Sequence, residues 1–338
     1  MPDYHSGKQT GIYSNRLFVK TVFSIVVTHN GIAWIEKCLR SLSGSSYPTR
    51  IIVIDNASSD STVAVIKQQF PDVYLVESKQ NLGFGKANNI GIQFAMEKKA
   101  DHVFLLNQDA WIETGTLTEL VKAQKENLAF GIISPVHLNG RGDDLDKNFL
   151  DYFAQSQLKE LASSILLPGR NMPSLIETRF VNAAAWMISA ACIKKTGGFD
   201  PIFFHYGEDR NYSNRALYNG FKIGIRINAK IYHDREQRVP PAVEDIKAKI
   251  KTEWIEFLNY ACDIRNDHFR MVVIRRALRH LFLTGKNLIS FDKPQLSFNY
   301  EMGKKVFTSF LIISKSRQIA SSQKAFPHLF VSPGIPNE

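Results

Sequence analysis

With 338 residues, 44% of them hydrophobic, the chain can build a sizeable core, which excludes an intrinsically disordered protein. The formal net charge of +10 indicates an anionic partner, such as a nucleotide, a phospholipid surface or a nucleic acid. Three widely spaced cysteines argue against a disulfide framework or a cysteine zinc site and favour a reducing cytosol: Cys38, Cys192 and Cys262. Residues 1–20 lack the apolar core of a signal peptide, and the mild run 183–192 is too short to span a bilayer. We therefore expect a cytoplasmic protein that is at most attached to a membrane surface.

The first part of the chain predicts a parallel βαβαβ unit after a loose lead-in over residues 1–20. Apolar runs and helical spacing alternate in the order strand, helix, strand, helix, strand: 23–28, 32–42, 50–54, 62–70 and 73–76. Polar residues follow the first two strands directly, at 28–30 and 55–60. Asp60 is a natural N-cap for the second helix.

The segment 81–91 is rich in glycine and asparagine and leads into a predicted helix over 90–98. Its Gly-x-Gly is weak evidence for a nucleotide site, and a loop that needs positive φ would explain it equally well. The next strand, 103–106, is apolar throughout, as expected of a central strand, and it ends in Asn107, Gln108 and Asp109. Ligands bind at the carboxyl ends of strands in open α/β sheets, where an aspartate can hold a divalent cation on a diphosphate. Asp109 could alternatively cap the following segment.

The second part of the predicted domain carries two more polar positions. Strands are predicted at 131–135, 180–188 and 221–231, and a mobile surface loop rather than a calcium loop at 139–148. Glu208 and Asp209 are placed just before a helix over 210–219, whose positive end stabilises carboxylates, so an N-cap role is the alternative. His233 follows the last strand.

Taken in order, these motifs resemble the inverting glycosyltransferases of family 2, which have the GT-A fold. The resemblance covers residues 23–238 and rests on seven segments: 26–30, 54–60, 81–91, 106–109, 197–200, 208–209 and His233. It implies an α/β domain with a Rossmann-like, mixed, mostly parallel sheet flanked by helices. The Asn-x-Asp at 107–109, together with the loop at 81–84, is most similar to bacterial rhamnosyltransferases that use dTDP-L-rhamnose.

The resemblance also implies a role for each matched residue. Nine of them would bind the nucleotide sugar: Thr28, Asn30, Asp55, Ser58, Asn81, Gly83, Asn107, Gln108 and Glu208. Asp55 would hydrogen-bond the base edge, and Asp109 with His233 would hold Mg²⁺ or Mn²⁺ on the diphosphate. Asp209 would be the catalytic general base that takes a proton from the acceptor hydroxyl.

The sequence departs from the family pattern at two positions. Asn107 stands where the first aspartate of the metal motif is usual, which predicts modest metal affinity. Asn211 stands where the family often has a second acid. Arg210 could bind a charge on the acceptor, although a solvated side chain is favoured.

Residues 239–322 carry no catalytic motif and predict a basic helical region. Helices are expected over 243–263, 270–283 and 304–315, with apolar stripes beside clusters of arginine and lysine. Two interpretations are open: a surface helix that docks to anionic lipid, and a helical subdomain packed on residues 21–238. No module that reads nucleic acid bases is evident. Residues 323–338 are expected to be disordered.

The sequence therefore predicts a metal-dependent inverting glycosyltransferase of cell-surface polysaccharide synthesis, of the O-antigen type. Its donor would be dTDP-L-rhamnose and its acceptor a glycan or a lipid-linked saccharide. The protein would be cytoplasmic, and attachment to the cytoplasmic face of the inner membrane is left open. One alternative keeps the fold but uses a UDP-sugar, such as UDP-galactofuranose or UDP-N-acetylglucosamine. The other is a non-catalytic protein that binds a nucleotide or docks to a membrane.

Overall fold

The computed structural model describes residues 20–147, 149–167, 169, 171–235, 246–322 and 324–329. Within this part of the chain, nine strands form one sheet in the order β3-β2-β1-β4-β8-β6-β9-β5, and β7 pairs with β9. The strands are β1 (Val22–Thr28), β2 (Thr49–Asp55), β3 (Tyr74–Glu77), β4 (His102–Asn107), β5 (Ala110–Ile112), β6 (Phe130–Asn139), β7 (Leu175–Thr178), β8 (Ala185–Ser189) and β9 (Lys222–His233).

The sheet is parallel in its first half and mixed in its second half. Strands β3, β2, β1 and β4 run parallel to one another, as the sequence predicts, whereas β8 is antiparallel to both β4 and β6. Strand β9 is parallel to β6 and antiparallel to β5 and β7. The predicted mixed, mostly parallel α/β fold is thus confirmed.

Helices cover both faces of the sheet, which explains why its central strands are apolar throughout. Among the described residues, seven helices precede the C-terminal region: α1 (Ile35–Ser43), α2 (Thr62–Gln69), α3 (Phe84–Glu97), α4 (Thr116–Glu126), α5 (Gln155–Leu166), α6 (Ala190–Thr196) and α7 (Glu208–Tyr218). Alternate residues of β4 enter opposite cores. Phe104 and Leu106 pack with α1, α2 and α4, while Val103 and Leu105 pack with α3, α6 and α7.

Several predicted boundaries are wrong, and two of them affect the site. Helix α3 begins at Phe84 rather than residue 90, so the segment 84–91 is helical, and α7 begins at Glu208 rather than residue 210. Both starts follow a glycine with positive φ, Gly83 at 77° and Gly207 at 90°, a conformation that changes the chain direction and that hydrophobic periodicity does not reveal. Strand β8 is shorter than predicted, and β5 was not predicted.

The C-terminal region is helical, as predicted, and it packs on the sheet domain. Its helices are α8 (Ile246–Ala261), α9 (Phe269–Ile289), α10 (Lys293–Thr308) and α11 (Phe310–Ala320). They share a small core with Phe203, a residue of the loop that precedes α7. Ser316 of α11 donates a hydrogen bond to the buried Asp200 carboxylate. The sheet domain and the helical region are therefore joined through the loop that leads to Glu208.

The expectation of a disordered tail is wrong for residues 324–329. Phe326 and Leu329 pack in the core against the sheet, and Gly198 N–H donates a 2.9 Å hydrogen bond to the Pro327 carbonyl oxygen. A Cβ on Gly197 would lie 1.7 Å from the same carbonyl oxygen, so only glycine allows this approach. Residues 323 and 330–338, like the predicted lead-in before Lys20, lie outside the described residues.

No helix in the described ranges is long and apolar enough to cross a membrane.

Candidate active site

The carboxyl ends of three neighbouring parallel strands lie side by side at one edge of the sheet. In the strand register Thr28 is paired with Asp55, and Val27 with Asn107. The polar residues that follow β1, β2 and β4 therefore converge at one place. A cavity of about 380 Å³ opens there. Five residues with predicted roles line it: Asn81, Gly83, Asn107, Gln108 and Asp109.

Thr28, Asn30 and Ser58 do not line this cavity but hold its loops together. The buried Thr28 hydroxyl donates a 2.7 Å hydrogen bond to Gln108 Oε1, which also accepts 2.9 Å from His29 N–H. Asn30 N–H donates 2.9 Å to Ser58 Oγ. These contacts hold the segments after β1, β2 and β4 together. Thr28, Asn30 and Ser58 therefore position the residues that line the cavity and do not line it themselves.

Asp55 lies buried at the end of β2 and has one free acceptor atom. Its Oδ2 accepts a 3.1 Å hydrogen bond from Ser58 N–H. Its Oδ1 is buried and has no hydrogen-bond partner among the described residues. A buried carboxylate oxygen without a donor is costly, and an N–H group of a ligand would relieve that cost.

The glycine-rich segment closes the cavity through Asn56, a residue without a predicted role. Asn56 Nδ2 donates a 3.0 Å hydrogen bond to Asn81 Oδ1, and Asn56 Oδ1 accepts a 2.7 Å hydrogen bond from Leu82 N–H. Gly83 comes so close to the neighbouring loop that a Cβ there would lie 2.0 Å from the Phe204 carbonyl oxygen. Gly83 has the positive φ that the loop explanation requires, and it also lines the cavity, so its role in binding a nucleotide stays a prediction.

Asp109 and His233 form a pair at the floor of the cleft. Both side chains are buried, and His233 Nε2 lies 3.4 Å from Asp109 Oδ1. Asn107 Nδ2 lies 3.5 Å from the same imidazole nitrogen. The other ring nitrogen of His233, Nδ1, lies 3.2 Å from Asp146 Oδ2. A carboxylate behind a histidine fixes the orientation of the ring, an arrangement typical of histidines that bind metals.

Asp146 is the main site residue that the sequence did not predict. It falls in the segment expected to be a mobile loop, yet it is buried, and its N–H donates 2.9 Å to the His137 carbonyl oxygen. Burial alone would raise the pKa of Asp146, but hydrogen bonding to His233 and the charge of Arg235 lower it overall. The prediction of a mobile loop is thus wrong at Asp146, and no pattern around the residue marks its long-range partner.

The donor set suits a divalent cation that is also held by a ligand. Among the described residues no group of three or more His, Cys, Asp and Glu side chains is arranged to hold a metal ion. Asp109 and His233 offer one oxygen and one nitrogen, which fits Mn²⁺, and Mg²⁺ commonly takes one or two carboxylates together with phosphates and water. The residues present therefore fit a metal whose remaining ligands come from a diphosphate and water.

A second cavity of about 520 Å³ adjoins the first and contains the predicted base. Asp209, Glu208, Tyr152 and Arg235 line it, and both cavities share Asn107 together with Phe84 and His205. Glu208 and Asp209 lie in the first turn of α7, where the helix dipole stabilises negative charge. The two cavities thus form one cleft with Asp109 in one half and the acidic pair in the other, while His233, the partner of Asp109, is buried and lines neither half.

The two carboxyl groups of α7 have shifted pKa values. Burial, together with the charge of Asp209, raises the pKa of Glu208 to about 8, and Glu208 Oε2 is buried without a hydrogen-bond partner among the described residues. Burial also raises the pKa of Asp209, although hydrogen bonds from backbone N–H groups partly oppose this. At neutral pH Glu208 is therefore largely a neutral donor.

The helical region contributes Lys251 of α8 to the first cavity. The Lys251 ammonium group lies 4.9 Å from the centroid of the Tyr206 ring, and Tyr206 has an unusual positive φ of 73°. Lys251 and Arg235 are two further cations of the cleft that the sequence did not single out. Neither belongs to a motif, and for Lys251 only the packing of α8 on the Phe203 loop brings it to the site.

Comparisons with known proteins identify the class of this fold. Residues 24–171 match the family model of glycosyl transferase family 2. This part of the chain is therefore similar to that family, and the fold is GT-A.

Three curated relatives are distant in sequence. A low-salt glycan biosynthesis hexosyltransferase, Agl10, of Haloferax volcanii is 24% identical over 59% of this chain and 62% of its own length. An N-acetylglucosaminyl-diphospho-decaprenol L-rhamnosyltransferase of Mycobacterium tuberculosis is 23% identical over 62% of this chain and 75% of its own length. The dTDP-rhamnosyl transferase RfbF of Shigella flexneri is 22% identical over 63% of this chain and 68% of its own length. The chain thus spans about three fifths of the haloarchaeal relative.

Solved structures share the fold at low identity. TarS of S. aureus in complex with UDP has a TM-score of 0.52 at 20% identity, covering 73% of this chain and 66% of that one. The mannosyltransferase PcManGT of Pyrobaculum calidifontis, in complex with GDP-Man and Mn²⁺, has a TM-score of 0.51 at 17% identity, with coverages of 89% and 88%. GT-A structures thus include one that holds a divalent cation beside its nucleotide sugar.

Proposed function

We propose that this protein is a metal-dependent inverting glycosyltransferase that moves L-rhamnose from dTDP-L-rhamnose to a hydroxyl group of a glycan or a lipid-linked saccharide in cell-surface polysaccharide synthesis. One observation carries the proposal: Asp109, which pairs with the buried His233, lines one cavity, Asp209 lines a second, and the two cavities adjoin through Asn107. A donor diphosphate in the first cavity would direct its sugar towards the second. The proposed location is the cytoplasm, at the cytoplasmic face of the membrane.

The donor would bind in the first cavity, and two buried residues that do not line it, Asp55 and His233, would contribute through their neighbours Asn56 and Asp109 in its wall. Asp55 Oδ1 would accept the N–H of the pyrimidine base, and Asn81 and Gly83 would contact the base and ribose. Asp109 and His233 would hold Mg²⁺ or Mn²⁺, which when bound neutralises the charge that develops on the leaving nucleoside diphosphate. Asn107, a neutral residue, leaves this site with one negative charge fewer than two aspartates would give.

Asp209 would accept the proton of the acceptor hydroxyl as its oxygen forms a bond to the anomeric carbon. The bond from that carbon to the diphosphate oxygen breaks on the opposite face of the sugar. Positioned general bases contribute typically 10²–10⁴-fold to rate, and the raised pKa of Asp209 makes it a stronger base than an exposed aspartate. A single displacement without an enzyme nucleophile inverts the anomeric centre, so a β-L-rhamnosyl donor would give an α-L-rhamnoside.

The rhamnosyl donor is supported by two relatives whose names specify rhamnosyl transfer. The second candidate keeps the mechanism and uses a UDP-sugar, such as UDP-galactofuranose or UDP-N-acetylglucosamine. The name of the haloarchaeal relative, which specifies only a hexosyl group, favours keeping this candidate. Pocket side chains that contact the sugar would decide between them.

A non-catalytic role is less well supported because Asn211 has a structural explanation. Asn211 is buried, and its Oδ1 accepts a 2.9 Å hydrogen bond from Arg215 Nε. Arg215 in turn donates to the carbonyl oxygens of Thr196 and Gly198, next to the segment that packs on the tail. The loss of an acid at position 211 therefore does not remove a group from either cavity wall.

Calorimetric titration with dTDP, UDP, GDP and ADP, each with and without Mg²⁺ or Mn²⁺, tests the donor assignment. We expect metal-dependent binding with dTDP tighter than UDP. A preference for UDP would replace the rhamnosyl donor by the UDP-sugar alternative. If no nucleotide binds under any condition, the enzymatic proposal fails.

A further inference from the structure

The helix α9 carries an exposed apolar stripe opposite its packed face. Seven large apolar side chains on α9 and the turn after it are between 55% and 86% exposed, and we call them the α9 ridge: Ile274, Leu278, Leu281, Phe282, Leu288, Ile289 and Phe291. The helical members recur at three- and four-residue spacing, which places them along one side of the helix. Val273 and His280 are buried on another side, so the ridge has no partner within the described chain.

Positive charge runs along the edge of this ridge. Arg275, Arg279 and Lys286 are exposed and follow one another at spacings of four and seven residues, a quarter turn or less from Phe282 on the helix. Residues 269–320 contain ten lysines and arginines but only two acidic residues, Asp292 and Glu301. Most of the net charge of +10 therefore resides in this helical region.

A groove beside the ridge suits an anionic headgroup. It has a volume of about 370 Å³ between α8 and α9, and its lining carries three arginines, Arg275, Arg276 and Arg279, against one acidic residue, Glu256. The guanidinium group of Arg276, however, forms a 2.6 Å ion pair with Glu253 Oε1. Guanidinium groups bind phosphate oxygens strongly, and those of Arg275 and Arg279 are exposed at the groove.

We propose that the α9 ridge docks onto an anionic lipid bilayer, with α9 lying in the plane of the interface. The apolar side chains would enter the boundary between headgroups and acyl chains, while the basic edge and the groove would contact lipid phosphates. Because α8 of the same region contributes Lys251 to the catalytic cleft, docking would hold that cleft close to the membrane. The inference does not depend on the donor sugar or on the chemistry proposed above.

Vesicle flotation with the full chain tests the ridge. Vesicles of phosphatidylcholine with added phosphatidylglycerol are compared with phosphatidylcholine alone. The variant Leu281→Gln, Phe282→Gln, Ile289→Gln should lose at least about tenfold in binding to the anionic vesicles. The matched control Leu128→Gln, Leu166→Gln removes exposed leucines from the sheet domain and should bind as the wild type does.

A second variant separates the electrostatic contribution and remains informative if the ridge variant misfolds. Arg275→Gln, Arg279→Gln should weaken binding to anionic vesicles by roughly fivefold for each cation, and added salt should reduce that difference. The charge-matched control Lys125→Gln, Lys194→Gln should have no such effect. Thermal melting and dTDP titration establish that each variant is folded.

Four outcomes would overturn the docking proposal. The wild type could fail to bind anionic vesicles, or the ridge variant could bind them fully. The ridge and control variants could lose binding equally. The ridge variant could also convert a wild-type dimer into a monomer in size-exclusion chromatography without changing vesicle binding, which would identify a second copy of the chain as the occupant. None of these results would contradict nucleotide binding, so the two proposals fail independently.

Discussion

The sheet domain and the helical C-terminal region depart from the usual pattern of burial in opposite ways. The sheet domain buries its apolar residues on both faces and gathers buried polar groups at one edge, among them Asp55, Asp109 and His233. The helical region has a small core and leaves large apolar side chains such as Phe282 and Phe291 in solvent. Buried polar groups indicate where a small ligand binds, and exposed apolar groups indicate where a larger surface binds. We therefore propose that the sheet domain carries out the chemistry and that the helical region attaches the protein to a membrane, and variants can test this division.

The largest effect should come from the base in the sheet domain. Asp209→Asn removes the proton acceptor while keeping the size of the side chain, so kcat should fall by about 10²–10⁴-fold. Affinity for dTDP with Mn²⁺ should stay unchanged, because Asp209 lines the other cavity. Steady-state kinetics and calorimetry measure the two quantities, and Asp72→Asn on the surface is the control. Turnover near the wild-type rate in a folded Asp209→Asn protein would sink the base assignment.

The metal pair should show the next largest effect. Asp109→Ala should abolish the gain in nucleotide affinity that Mn²⁺ provides, because the direct carboxylate ligand is lost. Asp146→Asn should lower metal affinity by about 10–100-fold, since Asp146 only orients the His233 ring. Calorimetric titration with and without Mn²⁺ separates the two variants. An unchanged response to Mn²⁺ in Asp109→Ala would exclude the ligand role.

The pH dependence should report the acidic pair of α7. Activity that needs ionised Asp209 should fall on the acid side at a pH above that of an ordinary aspartate, because burial raises its pKa. If the neutral form of Glu208 donates a hydrogen bond to the bound sugar, kcat/KM should also fall by about fivefold between pH 8 and pH 9, because burial raises the Glu208 pKa to about 8. Glu208→Gln should remove only the alkaline limb. An alkaline limb that survives in Glu208→Gln would assign it to another group.

The smallest effect tests whether the two regions are fully separate. Lys251→Gln should weaken binding of dTDP roughly threefold to fivefold, because an exposed cation close to a diphosphate contributes modestly. Lys249→Gln, two residues earlier on the same helix and stacked over Phe298 instead, should have no effect. If the two variants bind dTDP with equal affinity, the helical region does not contribute to nucleotide binding.

The local pattern of the sequence was sufficient for the parallel half of the sheet and for the residues at its edge. Apolar runs buried on both faces end in polar residues at Thr28, Asp55 and Asn107, and parallel strands necessarily bring such ends together. The roles of these residues came from the resemblance to family 2 rather than from the pattern. Asn107 lines the cleft, whereas Thr28 and Asp55 are buried beside its lining residues, and the roles themselves stay predictions.

The sequence by itself determined the α/β class, the family motifs and the basic helical character of the C-terminal region, because these depend on local spacing and composition. Only the tertiary structure decided that Asp146 supports His233, that Asn211 is bound to Arg215, and that Lys251 reaches the first cavity. It also decided which apolar stripe of α9 stays exposed, since a helix with apolar residues on several sides can bury only the side that finds a partner. Contacts between residues far apart in the chain depend on how helices pack, and neither periodicity nor spacing encodes them.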